Sequence, residues 1–149
     1  MRPFTGPPPS FNNPDANDGP MQTAGRRGES RAERADGHLL FAREEAALGY
    51  EKKDERRIRD AAEKAWLAVC EAVDGAMERH GVPLAAGPMA HSDRREFLES
   101  VNRELAKDMA FFAVKLHGDC FYQARCPAPV GMGTALGEVE QFLAAVRDL

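Results

Sequence analysis

Between Asp54 and His80 the apolar residues fall at steps of three and four: Ile58, Ala62, Ala65, Trp66, Val69, Val73, Ala76 and Met77. That period puts all of them on one face of a helix about seven turns long. No other feature restricts the fold so strongly. A helix with one apolar face must lay it against other elements. The alanines on this face admit a close neighbour, and Trp66 supplies bulk. Gly81 suits the left-handed position after a helix end and Pro83 cannot continue one, so the helix stops there.

The neighbouring segments carry the same period. A first helix is expected over about Glu29 to Glu51, with Leu40, Phe41, Ala47 and Leu48 inward and Arg43, Glu44 and Glu45 toward water. The mixed-sign tract EKKDERRIRD (Glu51 to Asp60) reads as a solvated connection into the second helix. Ser92 and Asp93 offer an N-cap and a first-turn acid for a third helix that carries Phe97, Leu98 and Val101. Helical character continues, with a candidate break near Asn102, through Leu105, Met109, Phe112, Leu116 and Cys120. Phe111, Val114 and Phe121 widen that face. Pro127 and Pro129 end it, and Thr134 is placed to cap a last helix bearing Leu136, Val139, Leu143 and Val146. No stretch of strand length alternates with period two. The expected fold class is all-α, with four or five helices in a domain spanning 29–149.

Residues 1–28 differ in kind. They hold six of the ten prolines and almost no large apolar side chains. Such a stretch cannot bury enough surface to offset its ordering entropy, so a disordered N-terminal tail is expected. The net charge of -4 exerts no general pull on nucleic acid or on an anionic membrane. The longest apolar runs, such as MAFFAV (Met109 to Val114), are far short of the roughly 20 residues a membrane helix needs. Three cysteines without a framework spacing point to a reducing, cytoplasmic setting.

The chemistry-bearing residues concentrate in KLHGDCFYQARC, Lys115 to Cys126. On an α-helix His117 and Cys120 would share a face, but a structural zinc site needs four ligands in tight pairs, and the others would have to come from the distant Cys70, His80 or His91. A Cys120–His117 nucleophilic pair needs an accessible thiolate, whereas Cys120 continues a buried row. The glycines of GMGTALG (Gly131 to Gly137) lack the spacing and the preceding strand of a nucleotide loop. No cofactor and no metal are expected.

Two stretches together, AAEKAWLAVCEAV (Ala61 to Val73) and KLHGDCFYQA (Lys115 to Ala124), followed by a final amphipathic helix, resemble the HEPN superfamily in its small PaREP type, over about residues 35–149. The resemblance implies an antiparallel bundle of four or five helices, usually a homodimer, with a nucleotidyltransferase-like protein or RNA as partner. It also implies a metal-independent ribonuclease motif, an Arg followed by a His after four to six residues. His117 matches the family His, but Ala110, Phe111 and Phe112 stand where the Arg belongs. Arg31 and His38 have the permitted spacing but lie at the start of the first helix. The expectation is therefore a non-catalytic HEPN-like binding and assembly protein. It would self-associate through Leu105, Met109, Phe112, Leu116 and Phe121. The alternative is a divergent ribonuclease using His117 with Arg125, eight residues and roughly 12 Å along a helix.

Overall fold

The computed structural model describes residues 29–86 and 89–149. The expected N-terminal tail, 1–28, lies outside the described residues. Those described form an all-α fold: α1 (Arg31–Lys52), α2 (Glu55–Arg79), α3 (Met89–Val101), α4 (Arg103–Phe112), a π-helical segment (Ala113–Tyr122) continuing from α4, and α5 (Pro129–Arg147). No strand occurs among them.

α1 opens on a capping box. Ser30 Oγ accepts from the Glu33 amide at 3.0 Å and the Glu33 carboxylate accepts from the Ser30 amide at 2.8 Å. The helix closes at Lys53, whose φ of 54° lies in the left-handed region, with the Asp54 amide donating to the Gly49 carbonyl at 2.8 Å. Asp54 then caps α2 through the Arg57 amide. The expected connection thus shrinks to Lys53 and Asp54, and α1 and α2 form a tight antiparallel hairpin.

This hairpin corrects the expected inward face of α1. Ala35, Leu39, Ala42, Ala46 and Gly49 point inward, while Leu40 and Phe41 are 59% and 42% exposed and Ala47 and Leu48 also face solvent. The physical reason is the partner. α2 presents Ala61, Ala62, Ala65 and Ala68, all fully buried, and a surface of alanines packs most closely against another surface of small residues. Gly49 marks the tightest point: a Cβ there would sit 2.8 Å from Ile58 Cγ1 and 3.0 Å from the Ile58 amide nitrogen. The face expected for α2 holds, with Trp66, Val69, Val73, Ala76 and Met77 buried.

Two helix starts differ from expectation. α3 begins at Met89, upstream of Ser92 and Asp93. The break at Asn102 is real, and the Asn102 side chain caps α4 by accepting from the Leu105 amide at 3.1 Å. α5 begins at Pro129, not Thr134, because proline fits the first helical turn, where its missing N–H costs nothing. The GMGTALG glycines therefore lie within α5.

The segment after α4 winds with an extra residue per turn, so the Gln123 amide reaches the Gly118 carbonyl five residues back. Two contacts fix its end. The Arg59 guanidinium donates twice to the Phe121 carbonyl, at 2.9 and 2.7 Å, and a disulfide joins Cys120 to Cys126. The disulfide corrects the expectation of three unpaired thiols. Ala124, at a φ of 58°, turns the chain between the two cysteines.

One core unites all these elements. It absorbs Leu105, Met109, Phe112 and Leu116, each no more than 6% exposed, while Phe121 is half-buried beside His117 and Tyr122. The face expected to bind a second copy is thus directed into the chain's own interior. α4 and the π-helical segment fold back on α2 and α5, so the wide apolar face finds both neighbours within one molecule. The large apolar side chains this region turns outward are Phe111, Val114 and Tyr122.

Candidate functional site: a histidine and tryptophan cluster

Polar side chains converge where α2, α3 and the π-helical segment meet. α2 contributes Glu63 and Trp66, three residues apart and so on one side of the helix. α3 contributes His91 and Arg94 at the same spacing, and the π-helical segment contributes His117. The Trp66 indole, 3% exposed, forms the floor. The His91 and His117 rings stand 5.6 and 5.7 Å from it, centroid to centroid, and 6.2 Å from each other. Wide winding brings residues four and five apart onto one side. His117 accordingly lies nearly parallel to Phe121 and meets Tyr122 edge-on at 4.8 Å.

Each imidazole has a partner on its Nδ1. His117 Nδ1 lies 2.7 Å from Glu63 Oε1; the ionised carboxylate can only accept, so that nitrogen carries the proton. His91 Nδ1 lies 3.0 Å from Arg94 Nη1; the guanidinium can only donate, so that nitrogen carries the lone pair. The two rings hold opposite tautomers. Desolvation, with the charges of Arg94 and His117, pushes the His91 pKa below the usual imidazole value. Arg94 is fixed by Asp74, whose two carboxylate oxygens accept at 2.8 and 3.0 Å. Desolvation works against the Arg94 charge, but the bonds to Asp74 outweigh it and raise its pKa.

A chain of ion pairs runs from here along α2. Asp74 lies 3.9 Å from Arg31, and Arg31 and Arg34 both hold Glu71, at 2.6 and 3.0 Å. Desolvation opposes the Glu71 charge, but the two arginines overcome it and lower its pKa.

Of the residues weighed for chemistry in the sequence, His117 and His91 lie in the cluster. Arg125 does not join it. The helix ends at Tyr122 and the chain turns at Ala124, leaving Arg125 67% exposed with Asp119 at 3.7 Å. The α-helical spacing from His117 does not apply to that stretch. Cys120 is disulfide-bonded and offers no thiol. Burial pushes the Cys70 thiol up to about 12, so it stays protonated near neutral pH. His80 packs edge-on to Phe97 at 5.2 Å. Arg31 holds Glu71 and Glu78 and leaves His38 aside. Among the described residues, no three His, Cys, Asp or Glu side chains converge as metal ligands would. A groove of about 480 Å³ lined by Val82, Pro83, Asp93, Glu96, Phe97 and Ser100 lies beside α3 and includes none of the cluster's histidines.

Sequence reasoning missed Glu63 and Arg94 as members of the site and named His91 only as a distant candidate zinc ligand. The three-residue spacings Glu63–Trp66 and His91–Arg94 were visible. Their meeting was not, because the His117–Glu63 pair spans 54 positions.

Fold and site together define an all-α protein with its polar chemistry gathered around a buried tryptophan. Comparisons with protein-family models, with curated proteins and with solved structures gave no match. No helix among the described residues is long and apolar enough to cross a membrane.

Proposed function

We propose that the protein is a non-catalytic, HEPN-like helical binding and assembly protein. It forms a homodimer and engages a second macromolecule, a nucleotidyltransferase-like protein or RNA. The observation that carries this reading is the outward side of α1. Leu40, Phe41 and Leu48 are exposed there, and Phe41 and Leu48, seven residues apart, share one side of the helix. Such side chains on a helix whose inner face is already packed suit a contact with another chain. This face replaces the Leu105 to Phe121 face as the self-association surface. The charged groups of the cluster fit a structural role, since Arg94 is held by Asp74 and Glu63 by His117.

Light scattering after size exclusion tests the reading. At micromolar concentration the expected mass is twice 16.4 kDa, falling to 16.4 kDa in a Phe41→Glu, Leu48→Glu double variant. A wild-type mass of 16.4 kDa refutes self-association.

One observation favours a second reading as a metal-independent ribonuclease. Glu63 orients His117 so that its Nε2 carries a free lone pair, the arrangement a general base requires. Incubation with single-stranded and structured RNA separates the two. Cleavage lost in His117→Ala supports the enzyme; no cleavage, or cleavage that survives the substitution, rejects it.

The cytoplasmic setting rested on unpaired thiols. With Cys120 and Cys126 joined, that support is gone.

A further inference from the structure

α3 is anchored unevenly. Phe97 and Leu98, in its second half, enter the core. Its first half meets α2 through the His91 ring on Trp66 and the Arg94–Asp74 ion pair. His91 faces Arg94 on its own helix, Glu63 and Asp74 on α2, and His117 with Tyr122 beyond it on the π-helical segment. Neither acid meets His91 Nδ1, because Asp74 is occupied by Arg94 and Glu63 by His117.

We propose that His91 is an acid-sensitive latch: its neutral ring holds the first half of α3 over the Trp66 indole, and its protonation releases that half. The bond from Arg94 needs the lone pair on His91 Nδ1. A proton there sets N–H against N–H and adds a cation beside the guanidinium. His117, its ring 6.2 Å away, is one of the groups whose charge disfavours a proton on His91.

The direction of the pH dependence follows. His91 is exposed at its outer edge, but partial desolvation of its ring against Trp66, with the charges of Arg94 and His117, lowers its pKa. Docking is therefore fully favoured above the ordinary imidazole value of about 6.5 and is lost as pH falls through the lower docked value. His38, on α1, also titrates low through desolvation and the nearby Lys64, so the assay must read α3 itself.

Trp66 provides that readout, being the chain's single tryptophan. Titration of the full chain from about pH 8 to about pH 5 should shift Trp66 emission to the red and raise its acrylamide quenching roughly twofold or more, with far-UV ellipticity retained. His91→Gln should abolish the transition. His117→Gln should keep it and move it to higher pH, since one of the charges depressing His91 is removed. The proposal fails if Trp66 does not respond, if His91→Gln responds like wild type, or if the change tracks loss of helicity. It also fails if intensity drops with no red shift and no added quencher access, which is quenching by a protonated ring still in place. Hydrogen exchange on wild type gives a check that needs no variant. After correction for intrinsic rates, α3 amides should lose roughly threefold or more of their protection over the same range while α2 amides keep theirs; equal or absent loss overturns the latch.

Discussion

Two glycines on α1 set up a test in which one chemical change should have opposite signs. Gly37→Ala and Gly49→Ala each replace a helical glycine with the best helix former, worth about 1 kcal/mol in the helical state. At Gly37 nothing lies within 4 Å of the added methyl, so the gain should appear nearly whole, at about 0.5–1 kcal/mol. At Gly49 the methyl meets Ile58 Cγ1 at 2.8 Å, the Ile58 amide nitrogen at 3.0 Å and Arg57 Cβ at 3.1 Å. None of these is the free end of a flexible side chain, so relief requires α1 and α2 to separate. Overpacking of this kind costs about 1–3 kcal/mol, which exceeds the propensity gain. A net loss of about 1 kcal/mol is expected, with Tm falling by roughly 2–4 °C while Gly37→Ala raises it by about as much. Thermal and urea unfolding followed by far-UV circular dichroism measure both. If Gly49→Ala stabilises as Gly37→Ala does, the close approach of the hairpin is wrong, and with it the account of why α1 buries its small side.

Two further expectations concern the covalent and charged ties. Trapping thiols in the denatured, unreduced chain should label Cys70 alone, and reduction should expose all three cysteines. Reduction or Cys126→Ser should lower stability by about 2 kcal/mol, the loop entropy of so short a closure, and an unchanged melting curve would contradict it. Glu71→Gln should cost about 1–2 kcal/mol near neutral pH, where the ionised carboxylate holds Arg31 and Arg34. Because the folded Glu71 pKa is lowered, its stabilisation is present above the ordinary carboxyl value and lost as pH falls through the folded one; urea midpoints of wild type and variant should converge in acid.

Comparison of the helices shows where sequence patterning reaches its limit. α2 was legible because its small inward residues, such as Ala62, Ala65 and Ala76, share a face with its large ones, Trp66, Val69, Val73 and Met77, so periodicity and size agree. On α1 they disagree. The inward row Ala35, Ala42, Ala46 and Gly49 is small, whereas Leu40, Phe41 and Leu48 stand outward, and hydrophobicity alone favours the wrong side. The turns at Gly81 and Asn102 declared themselves through residues with few structural alternatives. Pro129 was read as a stop but acts as a start, since proline serves both roles and only the chain beyond it decides. The π-helical segment defeated the pattern outright. His117, Cys120 and Arg125 were spaced on 3.6 residues per turn, and the real winding is wider. For the cluster, Trp66 was foreseen only as bulk on the apolar face of α2 and His91 only as a distant ligand candidate. His117 stood in a conspicuous stretch, but its partners come from helices whose packing no local signal specifies.

That wider winding affects how the chain can tolerate changes in length. Between Ala113 and Tyr122 the backbone already accommodates one more residue per turn than the preceding helix, so loss of a single residue there can be absorbed by reverting to tighter coiling. The chain beyond Tyr122 would then keep its facing, while side chains inside the rewound stretch would be re-aimed by up to about a hundred degrees. An excision just before His117 would swing its ring away from Glu63 while leaving the helix count intact. A shortened relative could therefore keep the architecture and lose the cluster in one genetic step.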